Sequence, residues 1–263
     1  MFDEVAELYD RARPGYPMDV LADLAELAEL PPRARLVEIG CGTGQATGPL
    51  AQRGYTMTCL ELGEQLAALA RHNLAGFPNV EVVTGNFETW QPAHAEYDAV
   101  VAFGSFHWIS PEHRYRKAAE LVGASGKLAV VSMVHVLPDD GDPFFRDVVD
   151  DYVSVLGEDA REMVTIGRPP HPEAIADLSD RVIAEEVEAS GAFRLTAARR
   201  YFWDIVYTAD DYADLLMTVS SYRTLEADVR ERLFARLRRR IATRPGQRVR
   251  LTFMALLYVL SRR

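Results

Sequence analysis

The stretch Leu36-Val37-Glu38-Ile39-Gly40-Cys41-Gly42-Thr43-Gly44-Gln45 decides how the chain is read. A short apolar run ends in three glycines at alternate positions, and a helical pattern follows. This predicts a strand, a tight turn and a helix opening near residue 44. Glycine tolerates positive φ and lacks a Cβ, so such a turn can press its backbone against a ligand. Backbone N–H groups at the start of the next helix face the same crevice. The dinucleotide fingerprint G-x-G-x-x-G seats a pyrophosphate on that helix. Here the third glycine comes one residue early, and Glu38 stands two residues before the first. An acid so close to the loop disfavours pyrophosphate and suits a ligand carrying positive charge.

The next element sharpens the reading. Tyr55-Thr56-Met57-Thr58-Cys59-Leu60 reads as a strand ending in Glu61, which stands 21 residues after Gly40. A carboxylate at the end of the second strand of a βαβ unit is placed to accept both ribose hydroxyls of a nucleoside. Further strands fall near 80–84, 98–103 and 127–134, and helices near 44–53, 63–74 and 111–123. Strands alternating with helices predict a parallel sheet covered on both faces, with ligands outside the carboxyl ends of the strands. The glycine loop, Glu61, Asn86 and Phe103 all fall at such ends.

With these elements in place the chain resembles the class I S-adenosylmethionine-dependent methyltransferases. It is most similar to the small-molecule branch that includes the ubiquinone/menaquinone-pathway and trans-aconitate methyltransferases. The resemblance rests on the glycine loop, on Tyr9-Asp10-Arg11-Ala12-Arg13-Pro14-Gly15-Tyr16-Pro17, and on Phe106-His107-Trp108 after the fourth strand. It is specific over about residues 2–133 and looser beyond. It implies a Rossmann-like, doubly wound α/β fold with seven strands, mostly parallel, the last antiparallel. It also implies S-adenosylmethionine as cofactor and S-adenosylhomocysteine as product. Cofactor contacts are then expected from Tyr9, Arg13, Glu38, Gly40, Cys41, Gly42, Gly44, Glu61, Leu62, Asn86, Phe87, Phe103 and Ser105. Asn86 departs from the family, which often has Asp there to meet the adenine amino group. An amide oxygen can still accept that hydrogen bond.

The whole chain, residues 1–263, is expected to form one methyltransferase domain. Its cofactor-binding core would span about 33–136 and a helical cap about 140–195. C-terminal helices and a terminal hairpin would fill 196–263. Thr208 is a candidate N-cap for a helix through Leu215, with Asp211 three residues on. Phe106, Trp108 and Tyr222 are candidates for the acceptor pocket. Tyr9, Phe103, Phe106 and Trp108 could hold a sulfonium by cation–π attraction, although core packing is the commoner role of an aromatic ring. His107 and His135 follow the fourth and fifth strands, where an imidazole could take a proton from an acceptor. A non-catalytic cofactor-binding protein, one using the cofactor without methyl transfer, and an NAD-dependent oxidoreductase stay open as alternatives.

Bulk properties narrow the partners. The 263 residues carry a net charge of −10, which repels phosphate backbones and argues against nucleic acid. The basic run Arg236-Leu237-Arg238-Arg239-Arg240 sits in a helical pattern and reads as a solvated face. Two cysteines, Cys41 and Cys59, fall in elements predicted to be buried, which fits a reducing cytoplasm rather than a disulfide. No apolar run is long enough for a membrane span, no secretory signal is visible, and no His/Cys cluster has zinc spacing. The expected partner is a small-molecule acceptor, with no metal, no nucleic acid and no membrane. The expected assembly is a monomer or homodimer.

Overall fold

The structure is a computed structural model that describes residues 3–92, 96–157 and 169–263. Seven strands form one sheet: β1 (Arg35–Ile39), β2 (Thr56–Glu61), β3 (Val80–Thr84), β4 (Tyr97–Phe103), β5 (Val122–Val136), β6 (Phe193–Thr208) and β7 (Arg248–Arg262). Their order is β3-β2-β1-β4-β5-β7-β6. β1 to β5 pair in parallel, with Glu38 opposite Cys59 on one side and Val101 on the other. β7 runs antiparallel. This is the Rossmann-like α/β architecture that the alternating pattern predicts.

The chain divides into two compact units. One comprises Pro14–Met133, Leu178–Tyr201 and Ala255–Arg263; the other comprises Met1–Arg13, Val134–Asp177 and Phe202–Met254. The first, here the sheet unit, holds β1 to β4 whole. Leu36, Val37, Ala99, Val100, Val101, Ala102, Leu128 and Ala129 are buried there, because helices cover both faces of a parallel sheet. The chain reverses its direction of winding between β1 and β4, and the carboxyl ends of those strands form the switch point.

The second, here the aromatic unit, has a core of Phe144, Phe145, Tyr152, Tyr212, Tyr222, Leu233, Phe234 and Leu237. The helix Ala227–Ala242 buries Leu233, Phe234, Leu237 and Ile241, a stripe at helical spacing. Thr208 caps the helix Ala209–Met217 by accepting the Asp211 N–H at 3.2 Å, as the sequence suggests.

Several boundaries differ from the sequence reading, and β5 begins at Val122 rather than near 127. The helix after the glycine loop spans Thr47–Gln52, three residues late, because residues 42–46 are spent on turns. β6 begins at Phe193 rather than Tyr201. Its first half, Arg194 to Arg200, is polar and carries no apolar run to mark it. Residues 140–195 hold the helices Phe144–Asp147, Val149–Leu156 and Pro172–Ser190 and the start of β6, and they divide between the two units. Part of that expected cap, 158–168, lies outside the described residues.

Candidate cofactor and acceptor site

The glycine loop is built by the chain's own close approaches. Gly40, Gly42 and Gly44 have φ of 62°, 59° and 93°, a region that side-chain-bearing residues rarely adopt. A Cβ at Gly40 would lie 2.7 Å from Ser105 Cβ, and one at Gly44 would lie 2.9 Å from Leu74 Cδ1. Gly40 and Gly44 are therefore needed where neighbouring segments press on the loop, a reason the sequence reading did not supply.

Hydrogen bonds tie four strand ends together. Gly42 N donates to Glu61 Oε2 and Gly63 N to Glu61 Oε1, each at 2.9 Å. Gly85 N donates to the Glu61 carbonyl at 2.9 Å. Ser105 Oγ donates to the Ile39 carbonyl. Glu61, the glycine loop, Asn86 and Ser105 thus meet at the carboxyl ends of β1 to β4. Glu61 is 8% exposed, and each of its two oxygens accepts a backbone N–H.

Glu38 is placed differently from the expectation. It is 1% exposed and accepts from Thr47 Oγ1 at 2.6 Å and from Cys59 Sγ at 3.8 Å. Burial raises its pKa to about 7, against the lowering effect of those two donors. It braces the loop from beneath, and it is not a fixed negative charge presented to a ligand at neutral pH. Cys41 and Cys59 are free thiols, both buried.

Asn86 spends its Oδ1 on the Glu88 N–H at 2.9 Å, an Asx turn that shapes the loop after β3. Phe87 is buried and Leu62 is 70% exposed. Phe103 is buried and meets Tyr16 edge-on at 5.0 Å.

The Phe106–Trp108 turn follows β4. Phe106 is buried against Tyr115, ring centres 5.3 Å apart, so it packs the wall rather than facing an open pocket. Trp108 is 65% exposed, and the His107 ring lies 4.8 Å from it. Partial desolvation, aided by the Arg114 positive charge, lowers the His107 pKa. The residue is nevertheless exposed, so water tempers both effects. The shift favours the neutral imidazole, the form able to accept a proton.

Tyr9, Arg13, His135 and Tyr222 belong to the aromatic unit. The Arg13 guanidinium lies 5.3 Å from the Tyr9 ring centre, and its Nη2 donates to the Thr218 carbonyl at 2.8 Å. Tyr222 is 2% exposed and shares a 2.6 Å hydrogen bond with the Tyr152 hydroxyl. It is a core residue and not a wall of an open pocket. His135 lies between Phe145 and Phe253, at 4.6 and 5.7 Å. Burial pushes its pKa down to about 3, far from the operating pH that favours a general base.

Several residues escaped the sequence reading. Thr47 answers Glu38 from nine positions away. Asn73 Nδ2 holds the Thr43 carbonyl at 3.1 Å. Thr43 Oγ1 is buried and has no partner among the described residues. A spare buried hydroxyl beside positive-φ glycines and a strand-end carboxylate forms a donor–acceptor set that fits an amino-acid-bearing nucleoside. Only the glycines and Glu61 gave a sequence signal, because the other side chains are ordinary in type and spacing. Among the described residues, no group of three or more His, Cys, Asp or Glu could hold a metal ion, and no helix is long and apolar enough to cross a membrane.

Residues 36–126 match the family described as a methyltransferase domain. The chain is a class I S-adenosylmethionine-dependent methyltransferase. The methyltransferase is 26% identical over 245 residues to an uncharacterised methyltransferase, Rv3342, of Mycobacterium tuberculosis, covering 93% of this chain and 87% of that one. A shorter match, 42% over 72 residues, is to an rRNA adenine N-6-methyltransferase of Saccharopolyspora erythraea; it covers 27% of this chain and 19% of the relative. Among solved structures, a methyltransferase from Thiobacillus denitrificans in complex with S-adenosyl-L-homocysteine aligns with a TM-score of 0.53 at 16% identity. It covers 96% of this chain and 94% of that one. At that identity the likeness is one of fold.

Proposed function

We propose that this methyltransferase acts on a small, partly apolar metabolite, at oxygen, nitrogen or carbon, and that His107 takes the acceptor's proton. The observation that carries the small-molecule reading is the fate of the basic run. Arg236 and Arg240 both pair with Asp151, and Arg238 pairs with Asp210 at 2.8 Å. Three of its four arginines are thus paired within the chain, with two carboxylates between them, on a protein whose net charge is −10. Phosphate-backbone binding depends on unpaired basic charge.

Glu61 would accept from the ribose hydroxyls. The loop N–H groups and Thr43 would hold the amino-acid end, and Leu62, Asn86 and Phe87 would border the adenine. Bound S-adenosylmethionine supplies a methyl group on a sulfonium, whose departure leaves a neutral thioether. The chain's own task is then to align the acceptor, exclude water and receive a proton. Alignment can supply on the order of 7–11 kcal/mol at best. His107, shifted toward its neutral form on an open turn at the end of β4, is suited to the last step. An acceptor that arrives deprotonated would not need it.

The test is transfer of labelled methyl from S-adenosylmethionine into a cell extract separated into acid-soluble metabolites, RNA and protein. Label in the metabolite fraction is the expected outcome. Label confined to RNA or protein overturns the small-molecule reading.

A further inference from the structure

Arg114 is a buried cation that the function described so far does not use. It lies on the helix Pro111–Leu121 and is 7% exposed. Its guanidinium forms an ion pair with Glu186, from the helix Pro172–Ser190. Tyr115 donates its hydroxyl to the other Glu186 oxygen at 2.9 Å. Arg114 Nη1 reaches the Phe106 carbonyl at 3.4 Å, and the guanidinium lies 5.3 Å from the Phe106 ring centre and 5.6 Å from the Tyr115 ring centre. A charge is seldom buried without such compensation. Two of these contacts, to the Phe106 carbonyl and the Phe106 ring, fall on the turn that carries His107 and Trp108.

We infer that Arg114, with Glu186 as its counter-charge, is a positioning residue that fixes the Phe106–Trp108 turn and presents a positive charge to His107. The inference rests on the reading of His107 as the proton acceptor. Its consequence is that the imidazole stays neutral to lower pH than a free histidine. Arg114 is the charged group that acts on His107; Glu186 and Tyr115 face the guanidinium. At the far end of the turn Glu88 accepts the Ser110 N–H at 2.9 Å, and His113 Nδ1 lies 3.3 Å from Ser110 Oγ. Glu186→Gln removes the negative charge beside Arg114 and leaves its positive charge uncompensated. Arg114→Gln removes the positive charge itself. The two variants should therefore move His107 in opposite directions.

The experiment is an NMR titration of the full chain labelled at histidine, with the His107 signal assigned by its loss in His107→Gln. In the wild type the midpoint is expected below 6.5. Arg114→Gln should raise it toward 6.5, Arg114→Lys should leave it near the wild-type value, and Glu186→Gln should lower it further. Calorimetry with S-adenosylhomocysteine should show unchanged affinity in each variant, which establishes that the fold is kept. An unmoved midpoint in Arg114→Gln overturns the inference. If that variant does not fold, an unmoved midpoint in Glu186→Gln overturns it instead. The titration needs no acceptor, so its failure is distinct from failure of the methyl-transfer reading. Opposite shifts together with full turnover in His107→Ala would remove the base role and leave the positioning of the turn standing.

Discussion

The carboxylates at the strand ends of the sheet unit and Asp142 of the aromatic unit are used differently. At the strand ends the carboxylates hold loops without an ion pair: Glu61 takes the N–H groups of Gly42 and Gly63, and Glu38 takes the Thr47 hydroxyl. In the aromatic unit, Asp142 combines backbone N–H groups with an ion pair. Asp142 accepts from Phe144 N and Arg250 N at 2.9 Å and from Arg244 at 2.5 Å. Burial alone would raise the Asp142 pKa, but these donors outweigh it and hold it below the usual value. The difference is one of place and use: the sheet unit sets its carboxylates at strand ends beside the glycine loop, while the aromatic unit spends Asp142 in holding itself together. Substitutions in the first should damage binding and chemistry; substitutions in the second should damage stability.

The largest effect is expected at His107. His107→Ala should lower turnover roughly 10²–10⁴-fold if it takes the proton, with S-adenosylhomocysteine binding near normal by calorimetry. A loss of less than a few-fold would make the residue structural. Next is Asp142→Ala, which strands the partly buried Arg244. Breaking such a pair costs about 3–5 kcal/mol, so the denaturant midpoint should fall sharply while cofactor affinity in the folded fraction holds. A clear loss of affinity without loss of stability would erase the contrast between the units.

Glu61→Ala reverses the pattern. Hydrogen bonds to a charged group are worth roughly 1.5–3 kcal/mol, so cofactor affinity should drop on the order of tenfold to a hundredfold while the fold is retained. An unchanged dissociation constant would remove Glu61 from the site.

A smaller and sharper test uses pH, because each unit buries a group that titrates between pH 3 and 7 and is shifted in the direction that costs stability. Glu38 titrates at about 7 in the folded protein against 4.5 as its ordinary value. The folded state then holds the extra proton between these values, and stability falls as pH rises through that window. His135 titrates at about 3 against 6.5. There the unfolded state holds the extra proton, and stability falls as pH drops from 6.5 toward 3. Each slope is limited to about 1.4 kcal/mol per pH unit. Glu38→Gln should flatten the first limb and His135→Gln the second, as read from denaturation midpoints across pH 4–8. Equal slopes in variant and wild type would show that neither group is set by its burial.

The smallest effect is expected at Asn86. Asn86→Asp keeps the Asx turn and adds a stronger acceptor, so S-adenosylhomocysteine affinity should rise a few-fold. A fall would mean that the Asn86 amide donates to the ligand.

The cofactor half was legible because two kinds of signal coincide there. Apolar runs mark β1, β2 and β4 by burial on both faces, and glycines with a strand-end acid mark the switch point. Asn86 and Ser105 stand at strand ends, and the hydrogen bonds they make there are local: one shapes an Asx turn and the other braces β1. The polar first half of β6 escaped because an exposed edge strand needs no apolar pattern. The sequence does not separate Tyr222 and Phe106 from pocket walls, because an aromatic side chain looks the same in a core and in a wall. Arg114 was invisible because a buried arginine has no sequence mark until its counter-ion is known.

The sequence by itself determined the βα alternation, the glycine turn and the acid at the end of β2, and its resemblance to a known family implied the methyltransferase class. These rest on local chemistry: positive φ admits glycine, period and length separate strand from helix, and the spacing of a βαβ unit carries the acid to the switch point. Only the tertiary structure decided that Glu38 turns under the loop to Thr47, that His135 is sealed between phenylalanines while His107 stays open, and that Glu186 comes from 72 residues away to neutralise Arg114. The physical reason is that burial and pairing are properties of what surrounds a side chain. Those surroundings are assembled from segments whose distance along the chain says nothing about their distance in space.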